Sequence, residues 1–113
     1  MITFTDLASK LPAGAVEFVG NNQVKINASV IAEQALTLDS SIVEVMVKLL
    51  QGLTSLTQDI NTARAAHNPP LTAITFADSQ LVGTPSAPRY QLTLNVAVNP
   101  TSFNDNLLDP TGS

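Results

Sequence analysis

The stretch SIVEVMVKLLQGLTSLTQDINTARAA, Ser41 to Ala66, decides the fold. Its apolar residues Ile42, Met46, Leu49, Leu53, Leu56, Ile60 and Ala63 stand alternately four and three apart, the spacing of one helical face. The helix begins near Asp39-Ser40-Ser41, where Ser41 and Glu44 have capping-box spacing, and His67-Asn68-Pro69-Pro70 ends it after roughly seven turns. Val43, Val47 and Leu50 form a second ridge beside the first, so the N-terminal half is apolar over about half its circumference. A sheet face needs one stripe of about 100°, and something else must cover the surplus. Two covers are open: a symmetry mate in a dimer or ring, which makes Val43, Val47 and Leu50 candidate self-association residues, or other elements of the same chain. Glu44 and Lys48 are the only well-placed i,i+4 charge pair, and the flanks lack the alternating Glu/Lys pattern of a coiled coil.

Upstream, Thr5 or Asp6 caps a short predicted helix that runs through Leu11 and stops at Pro12. From Ala15 to Ile26 the period is two, with Gly20-Asn21-Asn22 between the alternating halves, which predicts a hairpin. Asn27 to Leu38 fits either a short helix after an Asn27 cap or an extension of the second strand, and the helix is preferred.

Downstream, Leu71 to Phe76 alternates as a strand. A long loop is expected over Ala77 to Arg89, with Gly83, Pro85 and Pro88, and Tyr90 to Val98 is the strongest strand pattern in the chain. There Tyr90, Leu92, Leu94, Val96 and Val98 share the face expected to be buried. The whole chain, 1–113, therefore reads as one α+β domain in the order α-β-β-(α)-α-β-β. A small antiparallel sheet of two hairpins has one long helix packed across it, and 101–113 forms a C-terminal tail.

The 113 residues carry a formal charge of −4, no cysteine, 44% hydrophobic and 12% charged residues. About 25% charged is ordinary, and a weakly charged polar surface protects poorly against association. Lys10, Lys25, Lys48, Arg64 and Arg89 are scattered, so no basic stripe suits a run of phosphates and no nucleic-acid partner is expected. The longest apolar stretch, Ile42 to Leu53, falls short of the roughly 20 residues of a membrane span, so no membrane partner is expected. Met1 to Asp6 has no basic or apolar leader pattern, which sets a cytoplasmic expectation.

Chemistry has few candidates. His67 is the only imidazole, and an enzyme would need it beside Asp59, Asp78 or a serine; its place at a helix end instead suits a charge on the helix dipole. The glycines Gly14, Gly20, Gly52, Gly83 and Gly112 are too dispersed for a phosphate loop, and no Gly-x-Ser-x-Gly elbow occurs. Asn104-Asp105-Asn106 with Asp109 lacks the glycine and distal glutamate of a calcium loop. Glu17 and Glu33 are not fixed relative to one another, and the sequon Asn27-Ala28-Ser29 has no secretory context. No catalytic residue, cofactor or metal is expected.

Candidate partner or ligand contacts are His67, the loop residues Leu81, Val82 and Arg89, the strand residue Tyr90, and the tail residues Phe103, Leu107 and Leu108. The reading that fits these features is a non-enzymatic structural or assembly subunit of bacterial or phage type, a homo-oligomer able to contact another protein. The alternative is a small-molecule or peptide binding module. Its pocket would lie between the long helix and the sheet, with the Asp78 to Arg89 loop as a lid and Tyr90, Arg89, Gln91 and His67 as contacts.

Overall fold

The computed structural model describes residues 1–98, 107, 108, 110 and 111. The fold is α+β in the expected element order, with two small antiparallel two-stranded hairpins; the long helix packs on the second of them, and the first lies against the short N-terminal helix. The hairpins do not merge into the single small sheet expected; each remains its own two-stranded ladder.

Helix α1 spans Phe4–Ala8. Thr3, rather than the expected Thr5 or Asp6, starts it with a full capping box. Its hydroxyl accepts from Asp6 N at 3.1 Å, and the Asp6 carboxylate accepts from Thr3 N at 2.9 Å. The helix stops at Ala8 rather than Leu11, with Ser9 as its C-cap.

Strands β1 (Val16–Gly20) and β2 (Gln23–Ile26) form the expected hairpin. Asn21 and Asn22 both hold positive φ, the backbone that tight hairpin turns require and that asparagine tolerates. Phe18 opposes Val24 and Val16 opposes Ile26, so one face is apolar, while Glu17 opposes Lys25 on the other. Helix α2 (Ala28–Ala32) follows, N-capped at Asn27 and ended by Glu33 in the left-handed region. It supplies Ile31, the largest wholly buried side chain among the described residues.

Helix α3 spans Val43–Ala66, about 36 Å. The expected Ser41–Glu44 box does not form. Ser41 Oγ accepts from Val43 N at 3.2 Å, while the Glu44 carboxylate accepts from Lys48 Nζ at 3.1 Å and Gln34 Nε2 at 3.0 Å. Gly52 faces the N-terminal segment, where a Cβ would make ordinary van der Waals contact with Leu11 at 3.5 Å and Leu7 at 3.7 Å. Lys10 pairs with Asp59 along the same side.

The segment 71–76, expected as a strand, pairs with no strand, because α3 side chains satisfy its backbone. The Asn61 amide donates to Ile74 O at 3.0 Å and accepts from Ile74 N at 2.7 Å, and Arg64 Nε donates to Thr72 O at 2.6 Å. The expected loop is in fact strand. β3 (Ala77–Thr84) and β4 (Ala87–Leu94) pair along their whole length around a two-residue turn, Pro85-Ser86. Polar pairs sustain it where apolar alternation is missing, as in Gln80 with Gln91 at 3.5 Å and Tyr90 Oη with Ser79 at 3.4 Å. Gly83 holds φ +93° near the turn, and a Cβ there would lie 2.5 Å from Ala87 O, which only glycine avoids. The expected strand Tyr90–Val98 is split: β4 ends at Leu94, and β5 (Ala97–Val98) pairs separately with β6 (Leu107–Leu108).

Among the described residues the core is thin: the buried apolar residues are Ala15, Ile31, Ala32, Leu56 and Ala77, joined by Gly52, Thr54 and Thr57. Thr57 joins helix to hairpin, its hydroxyl donating to Leu53 O at 2.8 Å and accepting from Ala77 N at 3.3 Å.

Candidate functional site

The second ridge of α3 supplies the first part of the site. Toward its C-terminal end this ridge continues as Thr54, Thr57 and Asn61, and there the root of β3 covers it. At the other end the cover is partial: Val43 is exposed, while Val47 and Leu50 are half-buried, with Gln34, Ala35 and Leu36 beside Val43 and Val47. The first ridge divides in the same way. Leu56 is 7% exposed, whereas Met46 is 46% and Ile42 72% exposed. The surplus apolar surface read from the sequence is thus covered fully at one end of the helix and only in part at the other.

Beside that open end lies a groove of about 270 Å³ between the 36–42 connector and the first turns of α3. Leu36, Leu38, Ile42, Val45 and Met46 make its apolar lining. Hydrogen bonds fix the connector wall. Thr37 N donates to Ser40 Oγ at 2.9 Å, Ser40 N to Thr37 O at 3.0 Å, and Leu36 N to Ser29 Oγ at 3.3 Å. Leu38 stands wholly in solvent. The helix preferred over Asn27 to Leu38 ends at Ala32, so Leu38, which would sit on its apolar face, is set out instead by the connector's path.

The β3–β4 hairpin supplies the second part. One face carries Ala77, Ser79 and Leu81 opposite Leu94, Leu92 and Tyr90. Ala77, at the root, is buried, while farther out the opposed pair Leu81 and Tyr90 is 71% and 52% exposed. Val82 and Arg89, also opposed, fall on the other face. Of the predicted contact residues, the structure therefore brings Leu81 and Tyr90 together, places Val82 and Arg89 behind them, and leaves His67 apart. Phe103 lies outside the described residues; Leu107 and Leu108 are placed as strand β6. A third open apolar surface is the first hairpin, where Phe18, Val24 and Ile26 are all exposed.

His67 caps the C-terminus of α3 and is exposed, with Nδ1 2.9 Å from Pro69 O. Asp59, one of its sequence-level partners, is taken by Lys10. Among the described residues, no three His, Asp or Glu side chains gather as a metal site, and no helix is long and apolar enough to cross a membrane.

The cleft between helix and second hairpin, where a ligand pocket was expected, holds about 240 Å³ and is lined by Thr57, Asn61, Ile74 and Phe76 with their neighbours. That is below the roughly 300 Å³ at which small-molecule sites begin. Thr57 and Asn61 already bond to the backbone of Ala77 and Ile74, and Tyr90, Arg89, Gln91 and His67 do not line it. The Asp78 to Arg89 segment is a paired hairpin rather than a lid.

Compared with protein-family models, curated proteins and solved structures, the chain matches none.

Proposed function

We propose that this protein is a non-enzymatic structural subunit that assembles with copies of itself. One observation carries the reading: large apolar side chains that a free monomer would hide stand open on three elements, Phe18 on β1, Ile42 and Met46 at α3, and Leu81 on β3. The low charge of the surface leaves little repulsion to oppose contact.

Native mass spectra across a dilution series test the reading. Multiples of the subunit mass that persist on dilution, without added small-molecule mass, are the expected result. A monomer at every concentration overturns it, and a monomer carrying a bound small molecule overturns it in favour of a binding module.

A further inference from the structure

The register of the second hairpin fixes which backbone groups point away from it. Ala77 N donates outward to Thr57 Oγ1, and Phe76 O accepts inward from Asn95 N. Bonding alternates along an antiparallel pair, so Asp78, Gln80 and Val82 bond to β4, while the N–H and C=O of Ser79 and Leu81 point outward. No described residue bonds to those outward groups. Thr57 closes this edge at Ala77, and Gly83, at φ +93°, turns the chain away beyond Val82. The open stretch between them, Asp78 to Val82, is centred on Gln80, and none of it is buried. The edge of β4 differs, because Pro88, paired with Gly83, falls at an outward position and has no N–H to offer there. A row of unpaired backbone groups is a template for another strand, and a two-stranded ladder alone is only marginally stable.

We infer that the Asp78–Val82 edge of β3 pairs with the same edge of a second copy about a two-fold axis at Gln80, an inference that rests on the self-assembly reading. The product is one continuous sheet in the order β4-β3-β3-β4. Full antiparallel overlap of the open stretch sets Ser79 opposite the partner's Leu81 and Leu81 opposite the partner's Ser79, outward groups against outward groups, and each of these pairs exchanges two backbone bonds. A slip by one residue would set them against groups already bonded to β4. Charge favours a second copy over an unrelated strand. Asp78 and Arg89 lie on the same face of the hairpin, and among the described residues neither enters an ion pair. Within one hairpin they sit at opposite ends of the open stretch. The two-fold pairing sets Asp78 opposite the partner's Val82, whose own cross-strand neighbour is Arg89, so unlike charges share a row across one valine and Asp78 never faces Asp78.

The chain has no cysteine, so a single introduced thiol reports the contact. Gln80 would face its own copy as a non-hydrogen-bonded pair, with Cα atoms about 4.5 Å apart, inside the range a disulfide spans. Gln80→Cys under a mild oxidant is therefore expected to give a covalent dimer. Gln91→Cys is the matched control. It is also exposed and loses the same Gln80–Gln91 contact, yet the two β4 strands of the sheet would lie about 14 Å apart, too far to link. A dimer from Gln91→Cys with none from Gln80→Cys assigns the contact to the β4 edge and overturns the arrangement. Equal yields from the two variants mark chance collision and overturn it as well. No link from Gln80→Cys in protein that native mass spectra show to be oligomeric overturns it while leaving self-assembly standing. A monomer in those spectra removes both.

Discussion

The two halves of α3 invert the usual relation between side-chain type and burial. Past Gly52 the helix buries Thr54 and Thr57, small polar residues; before Val47 it exposes Ile42, Val43 and Met46, large apolar ones. Composition alone would rank them the other way. Cover decides the outcome: the root of the second hairpin lies on the far half, where Ala77 N donates to Thr57 Oγ1, while the hydroxyls of Thr54 and Thr57 donate to the helix's own Leu50 and Leu53 carbonyls. The hydrophobic effect thus acts only where a partner surface is supplied, and among the described residues the near half is covered only in part.

The largest effect expected on that contrast comes from Leu56→Ala. Leu56 is 7% exposed in a core that holds few large side chains, so truncation removes transfer free energy and leaves a cavity, costing about 2–4 kcal/mol. Urea unfolding of dilute protein measures it, and a loss below about 1 kcal/mol breaks the claim that the far half anchors the fold.

Next comes Thr57→Val, which keeps the shape and removes the hydroxyl that accepts from Ala77 N. A buried N–H left without that acceptor costs about 1–3 kcal/mol. Because Thr57 joins α3 to β3, amide exchange in β3 should quicken more than in β1 and β2. Equal quickening in both hairpins would show that Thr57 supports the whole fold rather than one joint.

Legibility in the sequence followed the same line. Helix α3 and the first hairpin were plain because their signals are local: a 3.6-residue repeat, and Asn21-Asn22 at positions that need positive φ. The second hairpin was hidden. Gly83, Pro85 and Pro88 are strong loop signals, yet the strands are made by mutual register and by side-chain pairs such as Gln80 with Gln91, which only the paired state reveals. Conversely the alternation over Leu71 to Phe76 is real, but Asn61 and Arg64, well back along the helix, claim the backbone bonds a neighbouring strand would have made. At the candidate interface the surplus on Val43, Val47 and Leu50 was legible as periodicity. The groove under Leu38 was not, since it depends on the turn at Thr37 to Ser40.

The smallest effect on the isolated chain, and the one that separates the two halves most sharply, is expected from Ile42→Ser. At 72% exposure the side chain has little contact to lose within its own subunit, so the change in stability of dilute protein should stay within about 0.5 kcal/mol. Raising the concentration changes the comparison. If copies cover the near half of α3, the wild-type melting temperature climbs with concentration, because assembly stabilises the folded state by mass action, while that of Ile42→Ser climbs less. Thermal unfolding of both proteins over a hundredfold range of concentration reads this directly. Parallel curves would mean that Ile42 stays in water in the assembly as well. A loss as large as that of Leu56→Ala in the dilute limit would mean that the near half is covered within one chain after all.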